Sequence, residues 1–492
     1  MQFISGLFTR SRKEVQNLTP DSKSFPVINE STNGEILLKK TAYFGWIIGL
    51  FPVYPKSVEF FQSPTRHFFL YCTISILSLS VVMNLKCFTI SHISQTQYNT
   101  ISDKLKDYLA EFASLNSDVG IRLGFLLRSV ECVLLFKGIQ DYKREFSPVV
   151  GQKLSHKIMK YGSIFLLNFV YIMWIIGLGL RKLKFNQGYD DWGNITVTFS
   201  PVLESSRNIY IADILCHFSS IISSYYLILL VICISAILLD FLDDFHVKLR
   251  SDVQLQGSVE KCDDGFSRRG SNVTQKDFLL CPNEIANESN RNDLKLDVNT
   301  CLNEFKMKVN QRQFTCLTTL FRQFNQALGL SLVASVFADM MMIISIVYNL
   351  ISSVLDTGEF LMLNIFNMSD DHYSSIFISA SEAEYEARIC IIAAIGSYVV
   401  HKMKNYKCDL EELFYSYEKP KNLVSNSPVR SLYERFKDWT WSLDGMDIFT
   451  INLRLLTSML GTVVTYVIIL LQVKMSEKSE KRFFDHSLNT IR

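Results

Sequence analysis

The chain has 492 residues, of which 48% are hydrophobic and 20% charged, and the charged residues gather between long apolar runs. A chain that crosses a lipid bilayer repeatedly has this pattern, because each crossing needs about 20 apolar residues, and a soluble binding protein is excluded. The 50 basic and 48 acidic residues give a net charge of +2, so nucleic acid is not expected as a partner. We therefore predict an all-α, polytopic membrane protein that contacts membrane lipid.

The N-terminal region, residues 1–66, is predicted to lie in the cytoplasm. Residues 1–33 contain no apolar core of signal-peptide length, so we expect no cleaved signal. The stretch 41–55 is apolar but too short to span a bilayer, and Pro52 and Pro55 close it. We interpret this stretch as a short re-entrant or interfacial helix.

Seven apolar stretches are candidate membrane spans. They comprise residues 68–90, 119–138, 158–180, 209–239, 328–354, 385–403 and 451–473. The second candidate is the weakest, because Arg122, Arg128 and Glu131 interrupt it. Arg128 and Glu131 are three residues apart and share a helix face, so we expect them to neutralise each other in part. The sixth begins late, because acidic residues precede its apolar run.

Basic residues in the connections predict the orientation, since short cytoplasmic connections carry an excess of Lys and Arg. Such residues are frequent before the first span, between the second and third, and between the sixth and seventh. No Lys or Arg occurs between Arg322 and Arg388, so the fifth-to-sixth connection is acidic. We expect a cytoplasmic N-terminus and, after seven crossings, an extracellular C-terminus, although a basic third-to-fourth connection and a basic tail run against this pattern.

This topology divides the chain into parts. They are the cytoplasmic region 1–66, spans one to four at 67–240, a cytoplasmic connection at 241–316, spans five and six at 317–403, a cytoplasmic connection at 404–450, the last span at 451–473 and an extracellular tail at 474–492. The polar centre of the first connection, about 255–300, is predicted to be disordered between two prolonged helices. Two glycosylation sequons, at Asn194 and Asn367, would face outside and be available for modification. Four cytoplasmic sequons should stay unmodified, at Asn17, Asn29, Asn272 and Asn287.

Signatures of catalysis and metal binding are not found in the sequence, which contains no GxxxxGK[ST], HExxH or GxSxG motif. The 11 cysteines form no CxxC, and no Cys/His spacing suits zinc, so we expect no enzyme, metal or cofactor. The roles of two acidic residues at membrane depth remain open. Asp213 and His217 share a helix face, and they could form a hydrogen-bonded structural pair, part of a ligand pocket, or a metal or proton-relay site. Asp339 belongs either to a ligand pocket or water-filled cavity, or to a helix–helix hydrogen bond.

The last span carries the strongest signal, in the stretch FTINLRLLTSMLGTVVTYVIILLQV from Phe449 to Val473. Thr465 and Gln472 are two helical turns apart and can lie on one face. If several copies surrounded an axis, Gln472 would form a polar ring and apolar neighbours such as Ile469 a hydrophobic constriction. A single interhelical hydrogen bond explains the same residues, and both interpretations remain open.

These residues resemble the insect gustatory receptors, which are related to the insect odorant receptors. The family signature in the last span is TYhhhhhQF, with h a hydrophobic residue. This chain has Thr465, Tyr466, five hydrophobic residues, Gln472, and Val473 where the family has Phe. The upstream FTINLRLLTSML and the FNQALG before the fifth span are also similar to the family.

The resemblance implies a ligand-gated, non-selective cation channel in the plasma membrane of sensory neurons. It would be a homotetramer, or a heteromer with other gustatory receptors. Residues 404–450 would anchor the subunits, and a tastant would bind within 67–240 and its neighbours. The implied pore and gate residues are Thr465, Tyr466, Ile469, Gln472 and Val473. The ligand-site candidates are the polar or aromatic span residues Tyr171, Trp174, His217, Tyr225, Tyr226, Asp339 and Tyr348.

Two other classes of protein explain part of the sequence. A G-protein-coupled chemoreceptor also has seven spans, but its N-terminus lies outside and its Asp-Arg-Tyr and Asn-Pro-x-x-Tyr motifs are missing here. A secondary transporter would more often show two related halves with broken helices, and no such repeat is visible. We therefore rank the channel first.

Overall fold

A computed structural model describes residues 33–52, 64–95, 101–146, 201–269, 282–357, 371–417 and 428–491. The described residues are mostly helical. The helices are α1 (Asn33–Ile47), α2 (Pro64–Gln95), α3 (Ile101–Leu115), a π-helical turn (Asn116–Gly120), α4 (Ile121–Leu127), α5 (Ser129–Phe146), α6 (Pro201–Arg269), α7 (Pro282–Thr357), α8 (Asp371–Tyr417) and α9 (Pro428–Asp438). A short antiparallel hairpin of β1 (Asp444–Gly445) and β2 (Phe449–Thr450) leads into α10 (Leu453–Ile491).

Within the described part of the chain, four helices contain stretches long and apolar enough to cross a membrane, at Phe69–Cys87, Ser219–Gln254, Lys306–Tyr348 and Leu453–Glu477. They overlap the first, fourth, fifth and seventh predicted spans. The second predicted span is helical too, from the π-helical turn through α4 into α5, and the sixth is helical in α8. The third predicted span lies outside the described residues. On α2 a run of large apolar side chains is exposed, as suits contact with lipid: Phe69, Leu70, Ile76, Leu77 and Val81.

The short apolar segment near the N-terminus packs into the bundle. Its helix α1 ends at Ile47, and Gly49 follows with φ +69°, a conformation that glycine adopts without steric cost. Phe51 is fully buried, with its ring centroid 5.5 Å from that of Phe125 and 6.1 Å from that of Tyr226. A short helix is therefore present, but it begins at Asn33 and shares only residues 41–47 with the predicted stretch 41–55, and Phe51 after it is buried among the helices.

The connection between the fourth and fifth spans is more helical than predicted. We expected disorder at about 255–300, but α6 continues to Arg269 and α7 begins at Pro282. Beyond the predicted fourth span, the two helices still bury apolar side chains such as Leu249, Val253 and Met307. These contacts stabilise the two helices on either side of the polar segment, since the packing of an apolar face supplies most of the stability of a helix.

The core is organised around α7. This helix contacts α3, the π-helical turn, α4, α5, α6, α8, β1 and α10. Close approach is possible where small residues face it: an added Cβ at Gly124 would lie 2.5 Å from the Ser331 Oγ of α7. Contacts of this kind need glycine, because any larger residue would push the helices apart.

The described residues of the second connection, 404–417 and 428–450, form an aromatic cluster beside α6 and α7. The amphipathic helix α9 buries Leu432 and Phe436, and the rings of Trp439 and Trp441 pack edge-on against Phe321 of α7. At the end of α9, the Lys407 Nζ donates to the carbonyl oxygen of Lys437 at 2.8 Å. Burial lowers the pKa of the Lys407 amine. A cation in this position satisfies a carbonyl that the helix end leaves without a partner.

The hairpin sets the start of α10. Met446 and Asp447 have φ values of 54° and 60°, which close its tight turn. On its other side, the Asn325 Nδ2 of α7 donates to the Ser442 carbonyl oxygen at 2.8 Å and to the Asp444 Oδ2 at 3.2 Å. The beginning of the last helix is therefore fixed to α7 by hydrogen bonds.

Candidate functional site

One face of α10 is buried against its own subunit. Val463, Val467 and Leu470 are buried at steps of four and three residues, so they form a stripe along the helix. They form one apolar cluster with Ile344 and Tyr348 of α7. The last helix therefore has a fixed orientation about its own axis.

The opposite face of α10 is exposed. Thr465, Ile469 and Gln472 are all exposed, and at about 100° per residue they lie within about 60° of one another. Tyr466 and Val473 are exposed as well, but they lie about 80–100° round the helix from Thr465. The structure thus brings three of the five predicted pore residues onto one line and places two on the flank.

The centre of this exposed face is partly polar, while its flanks are apolar. An added Cβ at Gly461 meets no described atom within 4 Å. The Thr465 Oγ1 donates to the Gly461 carbonyl oxygen at 2.8 Å, so its lone pairs remain available on the exposed face. The neighbouring positions Ser458 and Ser476 are also exposed and small. A helix of this kind suits a water-filled axis better than lipid, because lipid offers no partners to hydroxyl and amide groups.

Two of the ligand-site candidates meet around a buried arginine. The Arg388 Nη2 of α8 lies 3.4 Å from the Asp339 Oδ1 of α7, and both side chains are 1% exposed. The Arg388 guanidinium carbon also lies 5.9 Å from the centre of the Tyr225 ring of α6. The carboxylate of Asp339 is therefore compensated by a charge on another helix. Of the two alternatives predicted for Asp339, this arrangement corresponds to a contact between helices. Its partner is an arginine that the sequence did not single out.

The other ligand-site candidates do not join them. Tyr226 packs with Phe51 and Phe125 beneath α1, and Tyr348 is buried against α10. His217 lies in α6, but its side chain is outside the described part of the structure, as are Tyr171 and Trp174. The glycosylation candidates Asn194 and Asn367 also fall outside it.

A buried polar cluster lies where the predicted second span is interrupted. The Arg122 Nε is 2.7 Å from the Asp118 Oδ1, and the same guanidinium donates to the Ile48 carbonyl oxygen at 3.1 Å and the Ser78 Oγ at 3.2 Å. The Ser223 Oγ of α6 donates to the Asp118 Oδ1 at 2.5 Å. The spacing of four between Asp118 and Arg122 was visible in the sequence as a helix-compatible pair. The predicted pairing of Arg128 with Glu131 is present, with Nη1 and Oε1 3.2 Å apart.

Comparison with known proteins supports a receptor. Residues 409–482 match the family model of the trehalose receptor, which belongs to the insect gustatory receptors. The resemblance predicted from the last span is thereby confirmed, and the matched family is one of receptors and not of enzymes. None of the curated proteins compared with the chain has a matching sequence.

Solved structures give the fold. The insect olfactory receptor OR5 from Machilis hrabei in complex with eugenol is similar to this chain with a TM-score of 0.52 and 14% identity, over 95% of this chain and 99% of that one. A second structure of the same receptor is similar with a TM-score of 0.51 and 14% identity, over 89% of this chain and 96% of that one. At this identity the likeness shows a shared fold that extends over nearly the whole length.

Proposed function

We propose that this chain, with the fold of an insect olfactory receptor and a C-terminal part like the trehalose receptor, is a gustatory receptor that works as a ligand-gated cation channel. It crosses the plasma membrane of sensory neurons seven times, with a cytoplasmic N-terminus and an extracellular C-terminus. Four subunits surround the pore, as a homotetramer or with other gustatory receptors. The channel is non-selective among small cations.

The proposal rests on the observation that α10 has one buried face and one exposed face. Its buried stripe binds it to its own subunit, while the face with Thr465, Ile469 and Gln472 is exposed in the single chain. In a tetramer this second face turns to the axis. Gln472 then supplies a ring of amide groups and Ile469 an apolar ring below it, which is the construction of a gated pore.

Val473 departs from the family at the end of this face. Its side chain is smaller than the Phe of the family signature, and it lies on the flank of the exposed line. We propose that Gln472 and Ile469 contribute more to the closed gate here than position 473 does.

The tastant is proposed to bind among the helices of residues 67–240, near Tyr171, Trp174, His217 and Tyr225. Tyr226 and Tyr348 are packed into apolar clusters and suit a role in packing. Trehalose is the first probe to use, because the matching family model is described as a trehalose receptor.

The test is current across the membrane of cells that express this chain alone, with trehalose and then a panel of other tastants. We expect inward current carried by cations without added G protein. Gln472→Ala should change the relative permeability to Na⁺ and larger organic cations, because it removes the polar ring. Val464→Ala is the matched control, since Val464 is exposed on α10 but lies about 100° round from Thr465.

Two outcomes would contradict the proposal. A response that disappears when G-protein signalling is blocked would exclude an ionotropic receptor. Equal changes in permeability for Gln472→Ala and Val464→Ala would show that the proposed face does not line the pore.

A further inference from the structure

The last helix continues well beyond the predicted pore residues. α10 is helical from Leu453 to Ile491, so it extends past Val473 into the part of the chain predicted to be extracellular. Lys474, four residues after Leu470, continues the buried stripe, and Glu477, three residues further at the same spacing, is half-buried. The face that packs against the subunit thus changes from apolar to charged just above the gate.

Both charged residues of this stripe contact other helices of the same subunit. The Glu477 Oε2 accepts hydrogen bonds from the backbone N–H of Ile101 at 3.1 Å and from the Ser102 Oγ at 3.3 Å. The Lys474 Nζ donates to the Ser352 Oγ of α7. Glu477 therefore caps the first turn of α3 from outside that helix, in the position where a carboxylate is most favourable for free N–H groups and the helix dipole.

The helix that Glu477 caps leads directly into the bundle. Leu109, two turns after Ser102 on the same face of α3, packs against the apolar cluster of α7 and α10. In the π-helical turn that follows α3, Asp118 accepts hydrogen bonds from Ser223 of α6 and from Arg122 of α4, which binds this segment to α6. A displacement of the bundle can therefore be transmitted through α3 to the outer end of the last helix, because these contacts form a continuous series.

We propose that Glu477 is a positioning residue for the gate: its contact with the start of α3 draws the outer end of α10 away from the pore axis. This inference rests on the proposed channel function. Glu477 lies about 140° round the helix from Gln472, so it acts on the gate through the position of the helix and not by contact with ions. Loss of the contact releases the four outer ends toward the axis and favours the closed pore.

The first experiment compares single-channel records of variants. Glu477→Ala should lower the open probability about fivefold, a coupling of the usual size between distant sites, with unitary conductance and ion selectivity unchanged. Glu477→Gln keeps an acceptor oxygen and should restore part of the loss. Glu480→Ala is the matched control, because Glu480 is an exposed acid one turn further along the same helix. An unchanged open probability in Glu477→Ala, or an equal loss in Glu480→Ala, overturns the inference.

The second experiment tests the contact without relying on current. In the Ser102→Cys, Glu477→Cys double variant, a short bis-methanethiosulfonate cross-linker should join the two positions within one subunit, detected as a linked peptide by mass spectrometry. Linking should raise the open probability above that of the unlinked variant, and reduction should reverse it. If no link forms, the proposed geometry is wrong; if a link forms without an effect on gating, the coupling is wrong. A wild-type response that disappears when G-protein signalling is blocked, in a membrane where the link forms in the double variant, contradicts the channel function and leaves the contact established.

Discussion

Single buried charges join parts of the chain that are distant in sequence. Arg122 contacts Asp118 on its own helix, Ile48 after α1 and Ser78 on α2. Arg388 reaches Asp339 from another helix. In each case an ion pair away from water is tolerated only because both partners are present, since an unpaired charge at this depth is far more costly than the pair.

Arg122→Met should therefore destabilise the protein strongly. Removing the guanidinium leaves the Asp118 carboxylate buried without its cation, and we expect a loss of about 3–5 kcal/mol in the free energy of unfolding. Thermal unfolding of the purified protein in detergent would measure this. Arg128→Met is the control: its pair with Glu131 is partly exposed, so a loss of about 0–1 kcal/mol is expected. Equal losses in the two variants would contradict the role given to Arg122.

Sequence reasoning at the residue scale reaches only local pairs. The Arg128–Glu131 pair follows from their spacing of three, and Asp118 could have been found in the same way from its spacing of four to Arg122. The pairing of Asp339 with Arg388 could not, because nothing in two separate apolar runs shows which faces will meet. For the same reason the sequence showed Gln472 as a polar outlier in the last span, but it could not show that Glu477 contacts the start of α3.

Among the elements, the long apolar helices were the most predictable, since runs such as 209–239 and 451–473 leave no other regular structure in a bilayer. The short α1 was predicted as well, but not its burial. Gly45 of α1 lies so close to the ring of Tyr226 in α6 that an added Cβ would overlap it. The polar segment 255–300 was the poorest prediction, because composition reports the solvent preference of a segment and not the helices it continues.

Gly45→Ala should weaken the packing of α1 on α6. The methyl group must displace the Tyr226 ring, and overpacking of this kind costs about 1–3 kcal/mol. We expect a lower midpoint temperature of thermal unfolding for Gly45→Ala than for the wild-type protein. Gly461→Ala serves as the comparison, because its Cβ would enter open space in the subunit and should leave the stability of the subunit unchanged or slightly higher. A stability unchanged in Gly45→Ala would contradict the close approach.

For the whole molecule, the fold could be predicted in outline because a membrane chain has few alternatives: apolar runs become helices, and basic connections orient them. The ligand site could not. Of seven candidate residues, Tyr225 and Asp339 meet around Arg388, whereas Tyr226 and Tyr348 lie in separate apolar clusters. Aromatic and polar residues in spans are selected equally by packing and by binding, so the sequence cannot separate the two uses.

The proposed topology makes a prediction about glycosylation. Asn194 and Asn367 should carry glycans when the chain is expressed in insect cells, because their sequons face the lumen of the secretory pathway. On a denaturing gel, each of the variants Asn194→Gln and Asn367→Gln should migrate faster than the wild-type chain by the mass of one glycan. Treatment with a glycosidase should abolish the difference. Asn272→Gln should have no effect, since that sequon lies on the cytoplasmic side. If only Asn272→Gln changed the mobility, the proposed orientation would be contradicted and the opposite one supported.

The two faces of α10 have a consequence for inheritance. A substitution on the buried stripe, at Val467 for example, affects only the subunit that carries it, and a poorly folded copy is removed before assembly; such an allele should behave as recessive. A substitution on the exposed face, at Gln472, leaves the subunit able to fold and to enter mixed assemblies. In the proposed tetramer, with equal expression of two alleles and random closed assembly, only roughly one assembly in sixteen would contain no altered subunit. If the exposed face lines the pore as proposed, alleles of that face should therefore be dominant, although they lie on the same helix.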